Sequence, residues 1–330
     1  MANSLSIIQG MLTRYGMSTY VTLGNLGNIL ILILFYENGQ NGNSCSLYIV
    51  TMTICNLICL NVGIIPVIFS LDHLDINNEY ILACRIQFYI RHSFFQLMRT
   101  SKVLSCLDRY AICSSNIRIR SLSQRKIVRR LIGIFTLFWL SISIFFSLIR
   151  TIENHSCNIF NRVYSMIYTI YYLIFAGILP PVFILILTIL TMKNLKQLRS
   201  RVQPIRRNPI GEMNRSERIV LRKRDQHILR MIFTEVSFYV ISTSPFSIYL
   251  IYKTITDSTE KNDERRQIES FINYLTQSFL MYLNTASPFY VYILTSPSFR
   301  KQFQQFLIRL YAFITRTQTN ENAQRATLRN

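Results

Sequence analysis

Residues 84–110 read CRIQFYIRHSFFQLMRTSKVLSCLDRY, and the fold of the whole chain depends on what this stretch becomes. Its middle carries three cations, Arg91, Arg99 and Lys102, each of which costs about 2.5–3.5 kcal/mol near the centre of a bilayer. In a helix of 3.6 residues per turn, Arg91 and Lys102 lie only ~20° apart, and Arg99 lies ~80° from Arg91. The three therefore form one polar stripe, and much of the remaining surface is Phe, Ile, Leu and Val. This pattern predicts a helix at the centre of a bundle.

The rest of the chain is organised as long apolar blocks. The protein has 330 residues, of which 50% are hydrophobic, and its mean hydropathy is +0.25. The blocks are roughly 20 residues long, the length at which a helix crosses the ~30 Å hydrocarbon layer. They cover residues 16–36, 46–70, 127–150, 163–192, 228–252 and 270–294. We therefore expect an all-α membrane protein.

Lysine and arginine are concentrated between the blocks. The chain carries 36 Lys and Arg against 16 Asp and Glu, a net charge of +20. Most of the excess lies in residues 111–130, in residues 193–230 and in the chain end from residue 298. The positive-inside rule places all three segments in the cytoplasm. Because these cations lie in loops, we expect anionic membrane lipid as a partner and no nucleic acid.

The number of spans depends on residues 84–110. If this stretch spans, there are seven helices and the N-terminus lies outside; if it does not, there are six and both termini lie inside. The loop charges do not decide between these, because the first loop has no Lys or Arg and Arg14 precedes the first block. Residues 1–15 also lack the features of a signal peptide. The periodicity of the polar stripe favours seven.

Apolar residues recur at helical spacing after the last block, among basic ones. This pattern predicts an amphipathic helix over residues 297–311 that lies on the inner membrane surface. Its apolar residues are Phe299, Phe303, Phe306, Leu307 and Leu310. We expect residues 312–330 to form a disordered cytoplasmic tail.

Prolines and one sequon mark further local features. Pro180-Pro181 and Pro245 interrupt two of the blocks and predict helix kinks, which membrane helices tolerate. Asn154-His155-Ser156 is an N-glycosylation sequon in a segment expected outside, so Asn154 is a candidate glycosylation site.

Several residues occur in an order and spacing that indicate a family. Residues 84–110 begin with a cysteine and end with Asp108-Arg109-Tyr110, with 25 residues from the cysteine to the arginine. Other features follow along the chain: Asn28, Trp139, Cys157, the Pro180-Pro181 pair, Pro245, the sequence FYVY at 289–292, and Phe299-Arg300. In these features the chain resembles the rhodopsin-like (class A) G-protein-coupled receptors. Its end is similar to that of peptide receptors of the FMRFamide-receptor type.

The resemblance implies a fold and a function. The fold would be a seven-transmembrane helix bundle over residues 16–296, with a short extracellular N-terminus over 1–15. The protein would be a multi-pass receptor of the plasma membrane that binds an extracellular ligand, a neuropeptide, and activates a heterotrimeric G protein. It would not be an enzyme.

The resemblance also assigns roles to residues. Cys84 and Cys157 would form a disulfide on the outer side. Arg109 would be the switch at the inner end, held in the off state by Asp108 and Asp225. Tyr110 and Tyr292 belong to the same switch. Lys102 and Glu235 fall in the layer above it, where we expect a buried ion pair, since an unpaired buried charge costs several kcal/mol.

Three neighbouring residues would contact the ligand. Arg91 matches the third-helix position that often meets ligand in the family, and His92 and Phe95 lie beside it. In many amine receptors this position is an aspartate, so an arginine here favours a ligand with an acidic or carbonyl-rich group. The alternative is that Glu153 or Glu269 neutralises Arg91.

Some positions depart from the family pattern. Asn56 stands where the family has an aspartate, so the family's sodium site would lack its anionic ligand. Thr243 stands at the position of the sixth-helix tryptophan, and the NPxxY motif aligns with residues 288–292, keeping only Tyr292.

Enzyme sites find no support in the sequence. The four histidines have no metal-ligand spacing, and there is no phosphate-binding glycine loop and no nucleophile motif, so we expect no cofactor and no metal. A polytopic transporter of an anionic solute, using Arg91, Arg99 and Lys102, is the alternative function.

Overall fold

The computed structural model describes residues 2–37, 44–114, 116–153, 156–202, 234, 237–256 and 259–327. Most of this part of the chain is helical, and one two-stranded hairpin interrupts the helices.

Seven long helices and one further helix follow each other along the described residues. Three of them contain π-helical sections, which add a residue to the local turn. The bounds of all eight helices are: α1, Ala2–Met11, the π section Leu12–Met17, and Ser18–Glu37; α2, Ser44–Phe69; α3, Ile81–Cys113; α4, Arg125–Leu148; α5, Arg162–Tyr172, the π section Leu173–Ile178, and Leu179–Val202; α6, 237–256; α7, Asp263–Asn273, the π section Tyr274–Leu280, Met281–Ala286, and Pro288–Thr295; α8, Pro297–Thr327.

Shorter elements lie between the long helices. Ile76–Glu79 forms one helical turn before α3, and Ile117–Ser121 forms another before α4. The strands β1 (Thr151–Glu153) and β2 (Ser156–Asn158) pair antiparallel, with Ile152 opposite Cys157.

The helix α3 lies at the centre of the bundle, as its polar stripe predicted. It packs against α2, α4 and α5, and its side chains also reach α6 and α7. Buried residues recur along its whole length, including the charged Arg99 and Lys102. A helix surrounded by other helices keeps its polar groups away from lipid, so the stripe is compatible with a membrane bundle.

Four of the described helices are long and apolar enough to cross a membrane, judged by length and composition. They are Leu5–Tyr36, Ser44–Phe69, Arg125–Leu148 and Arg162–Asn194. The helix α3 does not meet this criterion because of its cations. Large apolar side chains on the outside of the bundle, such as Ile134, Leu137 and Leu185, are exposed, as expected for a surface that faces lipid.

The prolines expected to kink helices lie inside continuous helices. Pro180 and Pro181 lie two and three residues after the end of the π section Leu173–Ile178, so the change of helical pitch in α5 precedes them. Pro245 lies within α6, which is helical over 237–256.

Pro66, inside α2, shows how neighbouring helices compensate for a proline. Proline has no N–H, so the carbonyl of Val62, four residues earlier, has no helical donor. The side-chain amide of Gln87 on α3 donates to this carbonyl at 3.2 Å. The hydrogen bond therefore joins α2 and α3 where the backbone ladder of α2 is interrupted.

Both ends of the chain are more helical than the sequence patterns predicted. The first helix begins at Ala2 rather than near residue 16. Its N-terminal part packs on the first part of α7, and further along both helices the Thr13 and Tyr274 hydroxyls are 2.8 Å apart. Residues 312–327, predicted to be a disordered tail, continue α8 as helix; neither Pro nor Gly interrupts them.

Candidate functional site

The disulfide predicted by the resemblance is present. Cys84, in the first turn of α3, is bonded to Cys157 of β2, with 6.0 Å between their Cα atoms. The backbone N–H of Cys157 donates to Oδ1 of Asn78 at 3.0 Å. The hairpin is thereby attached to the start of α3 and to the short helix before it.

Arg150 lies between this hairpin and α3. Its Nη1 donates to the carbonyl of Cys157 at 3.2 Å, and its guanidinium lies 3.8 Å from the centre of the Phe88 ring. Arg85 donates in turn to the carbonyl of Arg150, through Nε and Nη2, both at 3.2 Å. These contacts fix the position of Arg150, which is buried and only 8% exposed.

A pocket opens at the disulfide end, between β2 and helices α5, α6 and α7. Its volume is about 80 Å³. Three of its lining residues are basic, namely Arg150, Arg162 and Lys253, and none of those that the structure describes is acidic. Aromatic and amide side chains complete the lining, among them Tyr168, Phe246, Tyr249, Asn158, Asn273 and Gln277.

The three residues predicted to contact ligand are not among those that line this pocket. His92 is buried, with Nε2 3.0 Å from the Tyr171 hydroxyl. Phe95 is buried edge-to-face against Tyr282, with 5.3 Å between ring centres. Arg91 is partly buried, and its charge interacts with the hydroxyls of Tyr282 and Tyr168.

The structure pairs neither of the expected carboxylates with Arg91. Glu269 instead accepts from Lys261 at 2.6 Å and from Arg265 at 3.0 Å. Glu153 is exposed in β1, and no ion pair joins it to Arg91 among the described residues.

Arg99 is buried in the middle of the bundle and is bound by neutral groups. Its Nη1 donates to Oε1 of Gln96 at 3.1 Å, and its Nη2 donates to the Tyr172 hydroxyl at 3.1 Å. The guanidinium lies 5.4 Å from the Phe95 ring centre and 5.3 Å from that of Tyr172. Among the described residues no carboxylate contacts Arg99, and its Nε has no hydrogen-bond partner.

Lys102 lies one turn closer to the other end of α3. Its Nζ donates to Oδ1 of Asn284 on α7 at 3.1 Å and lies 5.4 Å from the centre of the Tyr239 ring on α6. Lys102 therefore connects α3 to both helices. Glu235 lies outside the described residues, so its ion pair with Lys102 stays a prediction.

Asp108 anchors the far end of α3. Its Oδ1 accepts from Oγ of Ser123 at 2.6 Å, and Oγ of Ser123 is 2.8 Å from Oγ of Ser44 at the start of α2. The carboxylate thus ties α3 to α2 and to the segment before α4. Asp108 is buried by these contacts.

The other predicted switch residues lie near the same end. Arg109 and Tyr110 are partly buried in the last turns of α3. Tyr292, at the end of α7, is buried, with its ring 5.6 Å from that of Phe299 in α8. Asp225 and the sequon residue Asn154 lie outside the described residues.

A comparison with protein families decides the class of the chain. The sequence profile of the family described as 7 transmembrane receptor (rhodopsin family) matches residues 27–290, four fifths of the chain. The chain belongs to this receptor family. No curated protein matches the sequence.

The receptor has a neutral amide network where α1, α2 and α7 meet. Nδ2 of Asn28 donates to the carbonyls of Gly24 at 2.8 Å and Thr285 at 3.1 Å. Nδ2 of Asn56 donates to Oδ1 of Asn28 at 3.4 Å. Thus Asn56, which stands where the family has an acid, takes part in helix packing through its amide.

Sequence reasoning missed the basic residues of the pocket. Arg150, Arg162 and Lys253 each lie at or just beyond the end of an apolar block, on the side that the sequence predicts to be outside, where the positive-inside rule expects few cations. Cations in positions where this rule expects few were the sequence signal that could have pointed to the pocket. The described part of the receptor holds no cluster of three or more His, Cys, Asp or Glu side chains suited to a metal ion.

Proposed function

We propose that the chain is a plasma-membrane receptor that binds an extracellular peptide and activates a heterotrimeric G protein. One observation carries this proposal: α3 is a single helix with the disulfide and the pocket near its first turns and Asp108-Arg109-Tyr110 near its last. Its central position lets a change in packing at one end alter the packing at the other.

The proposed topology has seven spans with the N-terminus outside. Two contacts support it: Arg14 on α1 forms an ion pair with Asp72, in the loop that precedes α3, and Thr13 meets Tyr274 on α7. The N-terminus thus shares the end of the bundle that carries the disulfide, a bond that persists outside the cytoplasm. The basic segments at the opposite end would then face the cytoplasm and anionic lipid.

The proposed mechanism is a shift between two populations of the receptor. In the off state, Arg109 would be held by the carboxylates of Asp108 and Asp225, since a guanidinium binds carboxylates through several donors. The ligand would bind better to a state in which α6 has moved outward and Arg109 is released to the G protein. In the structure Asp108 accepts a hydrogen bond from Ser123, so the same carboxylate also fixes the segment before α4.

Ligand-dependent nucleotide exchange on a purified G protein tests this function. We expect Arg109→Ala to abolish the exchange, and Arg118→Ala, which removes an exposed cation at the same end, to leave it nearly intact. If Asp225→Asn leaves basal exchange unchanged, the part assigned to Asp225 in holding Arg109 is wrong.

An anion transporter is the second candidate considered from the sequence. It would use Arg91, Arg99 and Lys102 as its intramembrane site. The receptor is favoured because Arg99 and Lys102 are engaged by Tyr172 and Asn284 in the packed interior, and because of the family match. Solute uptake into vesicles containing the chain, without any G protein, would favour the transporter.

A further inference from the structure

We propose that Ser123, in the turn before α4, is a phosphorylation site for a protein kinase that recognises basic sequences, and that Asp108 controls access to it. The inference goes beyond the proposed receptor function and rests on it in one respect. The proposed topology places this turn in the cytoplasm, where ATP and protein kinases are present.

The charges around Ser123 favour a kinase directed to basic sequences. Cations flank this serine three and five residues before it and two and three residues after it, and all of them are exposed. None of them forms an ion pair among the described residues. Kinases distinguish substrates by charge patterns of this kind, which acidic side chains can read through charge-assisted hydrogen bonds. The four cations are Arg118, Arg120, Arg125 and Lys126.

The backbone at Ser123 is a short turn between two helices. The helix Ile117–Ser121 ends before it, and α4 begins at Arg125. The backbone N–H of Ser123 donates to the carbonyl of Arg120 at 3.2 Å, and Gln124 is extended, with φ −71° and ψ 134°. A surface turn of this kind opens at a low cost in free energy, so it can enter the cleft of a kinase.

The Ser123 hydroxyl is held by the buried end of α3. It donates to Oδ1 of Asp108 at 2.6 Å, and Oγ of Ser44 lies 2.8 Å from it. Asp108 and Ser44 are only 3% and 7% exposed, whereas Ser123 is partly exposed. A kinase reaches the hydroxyl only after it turns outward, which breaks the charge-assisted hydrogen bond to Asp108. The site is therefore accessible in a state in which Asp108 has released the turn.

Ser121, two residues earlier, is an internal control. Its hydroxyl donates to the carbonyl of Arg118 at 2.7 Å, within its own short helix. This hydrogen bond is local and links Ser121 to neither α2 nor α3. Asp108 therefore has no part in its exposure.

Phosphorylation would make the release of Ser123 lasting. The kinase transfers the γ-phosphoryl group of ATP. A bond forms between Oγ of Ser123 and the γ-phosphorus, the bond from that phosphorus to the β,γ-bridging oxygen breaks, ADP leaves, and the hydroxyl proton passes to solvent. The phosphate carries a charge of about −1.5 to −2 at pH 7, so it repels the Asp108 carboxylate and binds Arg118 or Arg120 instead. The end of α3 then loses this tie to the segment before α4.

The probe is the catalytic fragment of protein kinase C, with ATP, acting on the purified full chain in phosphatidylcholine nanodiscs. Both faces of a nanodisc are open to solvent, so the orientation of the chain does not affect the result. Cleavage after basic residues releases short peptides, and mass spectrometry assigns the phosphate within them. We expect phosphate at Ser123, which Ser121→Ala keeps and Ser123→Ala loses. A free peptide of residues 116–127 is the reference for an unprotected site.

Two matched double variants test the charges. Arg120→Gln with Arg125→Gln should lower the rate of Ser123 phosphorylation by about tenfold or more, because each cation can form a charge-assisted hydrogen bond with the kinase. Arg129→Gln with Arg130→Gln makes the same charge change at exposed positions further along α4 and should leave the rate nearly unchanged. If both double variants behave alike, recognition by the flanking cations is wrong.

Variants of Asp108 test the control of access. The wild-type chain should be modified at least about tenfold more slowly than the free peptide, and Asp108→Ala should remove most of that difference. Asp108→Asn weakens the hydrogen bond without emptying the space, so it should act in the same direction and serves if the alanine variant does not fold. Equal rates in the wild type and in the folded Asp108 variants would show that Asp108 does not control access.

The outcomes separate this proposal from the receptor function. The phosphorylation site is wrong if the free peptide is not modified, or if Ser123 carries no phosphate in both the wild type and the Asp108 variants. If Ser123 is modified as expected but the chain stimulates no nucleotide exchange, the site stands and the receptor function fails. If the chain stimulates exchange and Ser123 is never modified, the receptor function stands and the site fails.

Discussion

The hydroxyl of Tyr239, on α6, donates a hydrogen bond of 2.5 Å to the backbone carbonyl of Ala176, on α5. This carbonyl lies four residues before Pro180, which has no N–H to donate to it. Tyr239 thus supplies the donor that the helix lacks. Because Lys102 on α3 lies over the Tyr239 ring, α3, α5 and α6 meet at this residue. An outward movement of α6 would break the hydrogen bond.

We expect Tyr239→Phe to destabilise the receptor by about 1–2 kcal/mol, because it leaves a buried carbonyl without a donor. Thermal unfolding in nanodiscs measures the change. Tyr311→Phe, which removes a hydroxyl that is exposed on α8, is the control and should have little effect.

Pro180→Ala provides a sharper test of the same contact, because alanine restores the missing backbone N–H. In that background, Tyr239→Phe should cost clearly less than it does in the wild type. Equal effects in the two backgrounds would show that the proline does not explain the hydrogen bond.

Gly24 allows close packing of α1 on α2 and α7. A Cβ at this position would lie 2.8 Å from Cδ1 of Leu60 and 3.1 Å from the backbone Cα of Ala286, so the helices would have to separate. Gly24→Ala should therefore destabilise the receptor by about 1–3 kcal/mol.

The control for Gly24 is Gly133, on α4, where a Cβ would meet nothing within 4 Å. Gly133→Ala should stabilise its helix by about 0.5–1 kcal/mol, through the smaller loss of backbone entropy. Thermal unfolding of both variants should give changes of opposite sign. A stabilised Gly24→Ala variant would contradict the close packing of α1.

The neutral surroundings of Arg99 lead to an unusual prediction about the stability effect of removing a buried charge. Since only neutral groups bind it among the described residues, Arg99→Met should leave stability unchanged or raise it, by up to a few kcal/mol. Tyr172→Phe keeps the charge but removes one acceptor, so it should destabilise the receptor by about 1–3 kcal/mol. A strongly destabilised Arg99→Met variant would show that the guanidinium has a charged partner.

The ion pairs of Glu269 predict a pH dependence of stability at the ends of α6 and α7 near the disulfide. Partial burial alone would raise its pKa, but hydrogen bonds from Lys261, Tyr252 and Arg265 outweigh this and hold the pKa below its ordinary value. A carboxylate with a lowered pKa stabilises the fold above its unfolded pKa of about 4.3, and this contribution is lost as pH falls through the lower folded value.

Unfolding temperatures between pH 3 and 7 check the role of Glu269. Glu269→Gln should be less stable than the wild type at pH 7, and the difference should shrink below about pH 4. Glu264→Gln, at an exposed position on the same helix, should match the wild type throughout. A difference for Glu269→Gln that stays constant with pH would contradict the assignment.

Much of the fold could be predicted from local patterns. Apolar blocks of the right length located most of the helices, and the 3.6-residue period of Arg91, Arg99 and Lys102 placed α3 at the centre. The disulfide between Cys84 and Cys157 followed from the resemblance and is confirmed. Helix ends were predicted less well, since α1 and α8 extend further than their apolar patterns suggested.

The sequence by itself determined the class of the protein, the central helix and its polar stripe, because these depend on composition and on spacing along one helix. Only the tertiary structure decided which groups surround each cation. Arg99 is enclosed by tyrosine and glutamine, whereas Arg150, Arg162 and Lys253 line a pocket. Helical periodicity gives the direction of a side chain around its own axis, but the groups opposite it come from distant segments, and only packing brings them together.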